Sequence, residues 1–125
     1  MEHPDALRLM EKHCDAWNAR DIDALMALFT PDCVYEAAAG PHPFGQRYSG
    51  QEAVRQAFAA IWAAFPHATW EDATHVASGD HGFSEWTFCG TKSDGTTVVA
   101  RGVDLLRFEG GRIARKDTFR KAVSP

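Results

Sequence analysis

The chain has 125 residues, is 45% hydrophobic and 24% charged, and carries a formal net charge of −4. This length provides one domain with a hydrophobic core and excludes two ordinary domains, so we predict a single domain over residues 1–125. Basic residues concentrate in residues 101–125, but they alternate with Ile113, Asp117 and Phe119 as the solvent face of a strand does. We therefore expect no nucleic-acid partner, and no apolar run reaches the roughly 18 residues that a membrane span needs.

The cysteines and histidines show no pattern typical of a metal site. Cys14, Cys33 and Cys89 lie far apart without C-x-x-C spacing, and we interpret them as buried thiols in a reducing compartment. The six histidines form no H-x-H or H-x-x-x-H pair, so neither a metal nor another cofactor is expected. Because no N-terminal segment resembles a signal peptide, the sequence predicts a cytoplasmic protein.

Three helices are predicted in the first half of the chain. Apolar residues at spacings of three and four predict a helix from Asp5 to about residue 18. Asp21 is the predicted N-cap of a second helix that continues to Thr30-Pro31. The segment Ser49-Gly50-Gln51-Glu52 matches a capping box, and a third helix follows it until Pro66.

Strands account for most of the remaining chain. Residues 33–36 form a short predicted strand, and the glycines and prolines of residues 37–48 predict a long loop. Turn signals separate four further strands, at about 68–78, 82–91, 97–109 and 112–121. Helices followed by an antiparallel meander indicate the α+β class, in which the helices cover one sheet face and leave a pocket beneath them.

Two acids lie on the two arms of the last predicted hairpin, which turns at Gly110-Gly111. Near an apolar interior, desolvation and a neighbouring acid both change the pKa of a carboxyl group. Asp104 and Asp117 are therefore the leading catalytic candidates. The alternative interpretation is that one or both simply face water.

Large aromatic residues are candidates for the wall of a ligand cavity, although aromatics at such spacing also form ordinary cores. His42 on the predicted loop is a candidate proton-transfer group, and Arg101 could bind a substrate carboxylate. The candidate substrate-binding residues are Trp17, Tyr35, His42, Phe44, Tyr48, Trp62, Phe65, Trp86, Arg101 and Phe119.

Several short motifs occur in an order typical of one group of proteins. They are Trp17-Asn18-Ala19-Arg20-Asp21, residues 27–32 (ALFTPD), Tyr48-Ser49-Gly50, and residues 103–108 (VDLLRF) followed by Gly111-Arg112-Ile113. This set resembles the ketosteroid-isomerase and SnoaL-like polyketide-cyclase group of the nuclear-transport-factor-two-like superfamily. The resemblance implies a cystatin-like, cone-shaped roll, in which a bent antiparallel sheet wraps the N-terminal helices around a deep apolar cavity.

The resemblance also implies roles for individual residues. Asp104 matches the acid that hydrogen-bonds a developing enolate oxygen in the steroid isomerases, and His13 falls on the position of its partner tyrosine. The general base of those isomerases falls on Ala37, and Glu36 beside it should face the opposite side of the strand. Asp117 matches, within one residue, the final-strand acid that handles the proton in the cyclases.

The resemblance leaves several activities open. Epoxide hydrolysis is disfavoured, because Ala37 and Trp86 replace polar residues that this chemistry needs beside Tyr35. We predict a cofactor-independent lyase, isomerase or cyclase that uses Asp117, Asp104 and His13 on a hydrophobic carbonyl compound. The alternatives are a small-molecule-binding module and an accessory assembly subunit. By the same resemblance, we expect a homodimer through the outer face of the sheet. The lack of a long apolar run predicts no membrane partner.

Overall fold

The computed structural model describes residues 2–124, which form three helices and six strands. The helices are α1 (His3–Ala19), α2 (Ile22–Met26) and α3 (Gln51–Ala64). The strands are β1 (Phe29–His42), β2 (Gly45–Ser49), β3 (Thr69–Ser78), β4 (His81–Thr91), β5 (Thr97–Glu109) and β6 (Arg112–Arg120). They form one open sheet in the order β2-β1-β6-β5-β4-β3, in which β1 and β6 are parallel and all other neighbours are antiparallel. The predicted α+β class is confirmed.

The region between α2 and α3 differs from the prediction. The second helix ends at Met26 instead of continuing to residue 30, and residues 37–48 form a hairpin of two strands instead of a long loop. The glycines and prolines mark an irregular hairpin end, where the β1–β2 register shifts between Ala37 and His42. Gly45 has a φ of 76°, and a Cβ there would lie 2.0 Å from the carbonyl oxygen of Ala37. Glycine is needed at this position because the two backbones approach so closely.

The helix starts agree only in part with the predicted caps. The carboxylate of Asp21 accepts a hydrogen bond from the backbone N–H of Ala24 (3.0 Å), so the predicted N-cap of α2 is confirmed. Helix α1 begins at His3 with a proline in its first turn, not with a cap at Asp5. The N-cap of α3 is Gly50, which makes no side-chain cap bond, so the predicted capping box is wrong.

The helices cover the inner face of the sheet, with α1 packed against β3 and α3 against β1. Trp17 of α1 lies at the centre of the core, and its ring centroid is 4.8 Å from that of Phe58 and 4.9 Å from those of Trp62 and Trp70. Burial of each such side chain contributes roughly 1.5–3 kcal/mol to folding. This aromatic cluster fixes α1 and α3 above the sheet.

A β-bulge near the start of β6 decides which of its side chains face inward. Phe108 pairs with Ile113 and Arg107 with Arg115, so Ala114 is an extra residue on β6. Ile113 and Ala114 are both buried. The alternation of inner and outer side chains is therefore shifted by one residue from Arg115 onward.

Membrane-spanning helices and metal-binding clusters were both sought among the described residues. None of the helices within residues 2–124 has the length and apolar character needed to cross a bilayer. No group of three or more His, Cys, Asp or Glu side chains in the same range is arranged to hold a metal ion.

Candidate active site

A cavity of about 320 Å³ lies between the helices and the inner face of the sheet. Its wall is mostly aromatic and alanine side chains, and a few polar groups converge on it, as is typical of small-molecule sites. The polar or charged side chains in its wall are those of Tyr35, Tyr48, Asp104, Lys116, Thr118 and Arg120.

Asp104 is buried in this wall and is held from both sides. The indole Nε1 of Trp86 donates a hydrogen bond to Oδ2 (3.0 Å), and the hydroxyl of Thr118 donates one to Oδ1 (2.6 Å). An indole N–H can only donate, so Oδ2 acts as an acceptor. The carboxylate is thereby fixed in one orientation, with its position on β5 directly opposite Thr118 on β6.

Lys116 is the buried cation of the site. Its Nζ lies 3.7 Å from Oδ2 of Asp104 and 3.3 Å from Nε2 of His13. It also lies 4.3 Å from the ring centroid of Trp17. Burial lowers the pKa of Lys116, and the negative charge of Asp104 offsets only part of that shift. The sequence prediction missed Lys116.

His13 lies beside this pair as a neutral imidazole. Its Nε2 accepts a hydrogen bond from the indole Nε1 of Trp17 (3.2 Å) and also faces Nζ of Lys116, so its proton is assigned to Nδ1. Burial lowers the pKa of His13 well below its usual value, and the charge of Lys116 adds to the effect. His13 thus lies behind the Asp104–Lys116 pair, outside the residues that line the cavity, and its Nε2 is already engaged by Trp17.

Asp117 does not line the cavity beside Asp104. Because of the bulge, its side chain lies on the outer face of β6, with Oδ2 3.5 Å from Nη2 of Arg115. Burial raises the pKa of Asp117, and the negative charge of Glu36 raises it further. The predicted placement of Asp117 beside Asp104 is wrong, because the prediction assumed uninterrupted alternation through β6.

Glu36 faces the outer side of the sheet, as predicted. Its carboxylate accepts hydrogen bonds from Arg47 at Oε2 (2.8 and 3.0 Å) and from Arg115 at Oε1. Burial acts to raise the pKa of Glu36, but the hydrogen bonds from the two arginines outweigh it and lower the pKa below its usual value. Glu36 is therefore a structural anion outside the cavity.

The predicted substrate-binding residues divide between the cavity and the rest of the protein. Those in the cavity wall are Trp17, Tyr35, Tyr48, Phe65 and Trp86. Trp62 instead packs in the core and donates a hydrogen bond to the backbone of Trp17.

The other four predicted binding residues lie away from the cavity. His42 and Phe44 stack on each other at 5.0 Å where β1 turns into β2. Arg101 forms an exposed ion pair with Glu85 (2.7 Å), and Phe119 is half exposed.

Several cavity residues escaped the sequence prediction, among them Lys116, Thr118 and Arg120. They follow one another at every second position of β6. Their inward orientation could be predicted from the sequence only if the alternation were counted from the bulge at Ala114 instead of from Ile113.

The model of the SnoaL-like domain matches residues 10–116, which is most of the chain. The chain belongs to the SnoaL-like domain family. The family resemblance that the sequence motifs indicated is thereby confirmed, whereas no curated protein matches the sequence.

Solved structures similar to this SnoaL-like domain agree on the fold. An NTF2-like protein of unknown function from Mesorhizobium loti is 29% identical, with a TM-score of 0.78 over 96% of this chain and 93% of that one. A "putative polyketide cyclase" from Xanthomonas campestris pv. campestris is 20% identical, with a TM-score of 0.84 over 94% and 90% of the two chains. A Catenulispora acidiphila protein with a ketosteroid isomerase-like fold, in complex with trimethylamine, is 22% identical with a TM-score of 0.78 over 89% and 83%.

Proposed function

We propose that this SnoaL-like protein catalyses proton transfer on a small, mostly apolar carbonyl compound, in an isomerisation, elimination or ring closure that needs no cofactor. The observation that carries the proposal is the pair of Asp104 and Lys116, 3.7 Å apart in the wall of an apolar cavity. A carboxylate can remove a proton beside a carbonyl group, and a cationic or hydrogen-bonding group can stabilise the oxygen that becomes negative.

The surroundings of the pair favour this chemistry. Trp86 and Thr118 fix the carboxylate of Asp104, so no reorganisation is needed before a proton moves. Tyr35 lies in the cavity wall, and burial raises the pKa of its hydroxyl, which stays a neutral hydrogen-bond donor. A mostly apolar wall lowers the local dielectric and strengthens each electrostatic contact inside.

The proposal is tested by binding and proton exchange in the same three proteins: wild type, Asp104→Asn and Asp32→Asn. Asp32 is an exposed aspartate of β1, which makes its variant a matched control. Thermal-shift titrations use a panel of cyclic ketones, enones and aromatic aldehydes, since a ligand of the folded state raises the melting temperature. Compounds that bind are then incubated in D₂O, and exchange at the carbons beside the carbonyl is followed by NMR.

We expect exchange that is catalysed by the wild type and by Asp32→Asn but falls about a hundredfold or more in Asp104→Asn. Equal exchange in Asp104→Asn and wild type would contradict the role of Asp104. Failure of every carbonyl compound to raise the melting temperature would contradict the proposed ligand class.

A binding module is the second candidate function, and one observation favours it. Ala37 lies in the cavity wall at the position where the resemblance expects a general base, so that carboxylate is missing. A pure binding protein should keep or gain affinity for apolar ligands in Asp104→Ala, because a buried carboxyl group carries a desolvation cost. Retained affinity together with absent proton exchange in the wild type would favour this function.

We also propose that the protein forms a homodimer through the outer face of the sheet. Val99, Leu105 and Phe119 are about half exposed there, and Arg101 and Glu85 offer charges of both signs on the same face. Sedimentation at micromolar concentration should show a dimer, and Leu105→Lys should shift it toward monomer. A wild type that stays monomeric would contradict this interface.

A further inference from the structure

One lysine of this chain differs from the others in its surroundings. The sequence contains Lys12, Lys92, Lys116 and Lys121, of which all but Lys116 are exposed. The Lys116 residue is 5% exposed and contributes to the cavity wall. A lysine is rarely buried, because removing an ammonium group from water is costly unless another requirement keeps it there.

The neighbours of Nζ suit an amine that exchanges protons. Nε2 of His13, which accepts the indole hydrogen bond of Trp17, lies 3.3 Å away, and Oδ2 of Asp104 lies 3.7 Å away. The other surroundings of Nζ are aromatic, with ring centroids of Trp17 at 4.3 Å and Phe58 at 5.1 Å. One nitrogen is thus placed between a neutral imidazole, a carboxylate and a mostly apolar cavity.

We infer that Lys116 is a nucleophile, whose amine forms an imine with the carbonyl carbon of an aldehyde or ketone bound in the cavity. This inference rests on the proposed function, because it takes a carbonyl compound as the ligand. It goes further by assigning how the carbonyl group is activated. Covalent activation of this kind splits a difficult proton transfer into easier steps.

The reaction balances without an oxidant or reductant. The lone pair of Nζ attacks the carbonyl carbon, a C–N bond forms, and the carbonyl π electrons move to oxygen. Both amine hydrogens then leave with that oxygen as one water molecule, and the imine nitrogen takes a proton from solvent to become an iminium. The first proton released from nitrogen passes through solvent to the former carbonyl oxygen. The carboxylate of Asp104 is placed to stabilise the iminium charge and to remove a proton from the adjacent carbon.

Burial also supplies the reactive form of the amine. The lowered pKa of Lys116 increases the fraction of neutral, nucleophilic amine near pH 7 relative to an exposed lysine.

The test is reductive trapping at pH 7 with benzaldehyde and, separately, cyclohexanone, followed by sodium borohydride. Borohydride delivers hydride to the imine carbon and leaves a stable secondary amine, which intact-mass measurement and peptide mapping locate. The variants are Lys116→Arg, which keeps a cation without a comparable nucleophile, Lys116→Met, and the matched exposed control Lys121→Met. Benzyl alcohol serves as the ligand without a carbonyl group.

We expect one adduct per chain on Lys116, formed roughly tenfold or more faster than on each exposed lysine. Lys121→Met should keep it, and both Lys116 variants should lose it. Equal labelling of all four lysines, an unchanged adduct in Lys116→Arg, or no adduct at all would overturn the inference. A thermal shift measured in the same samples separates the two proposals. If a carbonyl compound raises the melting temperature but forms no adduct, the imine inference is contradicted and the proposed function is not.

Discussion

Lys116 and Asp117 are neighbours in sequence, yet their side chains lie on opposite faces of β6. Lys116 borders the cavity beside Asp104, whereas Asp117 lies with Arg115 and Glu36 on the outer face. The cation of the candidate site is therefore the sequence neighbour of Asp117, one of the two acids that sequence reasoning selected.

The first prediction concerns that outer acid. Because the pKa of Asp117 is raised in the folded protein, ionisation at neutral pH disfavours the folded state, and the stability that this group contributes is present at low pH and lost as pH rises through its folded pKa. Asp117→Asn should therefore leave the free energy of unfolding unchanged or raise it by up to about 0.5 kcal/mol at pH 7. Urea denaturation at pH 7 and pH 4 measures this, and a loss above about 1 kcal/mol at pH 7 would contradict it.

The second prediction concerns the size of the cavity. Ala57 of α3 lies in the cavity wall, whereas Ala59 on the same helix is exposed. Ala57→Leu should fill part of the space and weaken binding of a carbonyl ligand about tenfold or more, which corresponds to about 1.4 kcal/mol. Ala59→Leu is the matched control and should bind as the wild type does. Calorimetric titration measures the affinities, and equal affinity in the two variants would place the ligand elsewhere.

The third prediction concerns Glu36, whose side chain is 1% exposed between two arginines. Glu36→Gln should lower the free energy of unfolding by about 2–4 kcal/mol, because an amide nitrogen cannot accept the hydrogen bonds of an arginine. Glu85→Gln removes an exposed pair with Arg101 and should cost less than about 1 kcal/mol. Denaturant unfolding of both variants at pH 7 gives the comparison, and equal losses would contradict the buried role.

The stabilities of Glu36→Gln and Glu85→Gln should also differ in how they depend on pH. The folded-state pKa of Glu36 lies below its usual value of 4.5, so its contribution is present above pH 4.5 and is lost as pH falls through the folded pKa. Below pH 4.5, the free energy of unfolding should therefore fall less steeply with decreasing pH in Glu36→Gln than in the wild type or in Glu85→Gln. Equal slopes in the three proteins would contradict this prediction and would mean that other carboxylates cause the loss of stability in acid.

The fourth prediction concerns His13, which is buried as a neutral imidazole. Its folded-state pKa is well below 6.5, so the unfolded chain binds more protons and stability falls as pH drops below 6.5. This residue contributes a slope of at most about 1.4 kcal/mol per pH unit. His13→Gln should reduce that slope, and exposed His67→Gln should not. Unfolding free energies from pH 5 to 7.5 are the measurement, and a slope unchanged in His13→Gln would contradict the neutral assignment.

Sequence reasoning was most accurate where local chemistry decides the structure. The apolar spacing of α1, the Asp21 cap and the turn at Gly110-Gly111 depend on neighbouring residues, and the ordered motifs identified the SnoaL-like family. Asp104 was a candidate from the sequence, and it lies in the cavity wall because the β5 alternation runs without interruption through its pairing with β4.

Sequence reasoning failed where pairing between distant segments sets the extent of a strand or the face on which its side chains lie. The extension of β1 to His42 depends on pairing with β2, which overrides the local glycine and proline signal for a loop. The inward face of β6 depends on the extra residue Ala114, because one inserted residue reverses every later side chain. The sequence by itself determined the family and the presence of three helices, and it named Asp104 as a candidate. Tertiary structure alone decided that Lys116 lies beside Asp104 and that Asp117 lies outside, because strand register is set by contacts between distant segments.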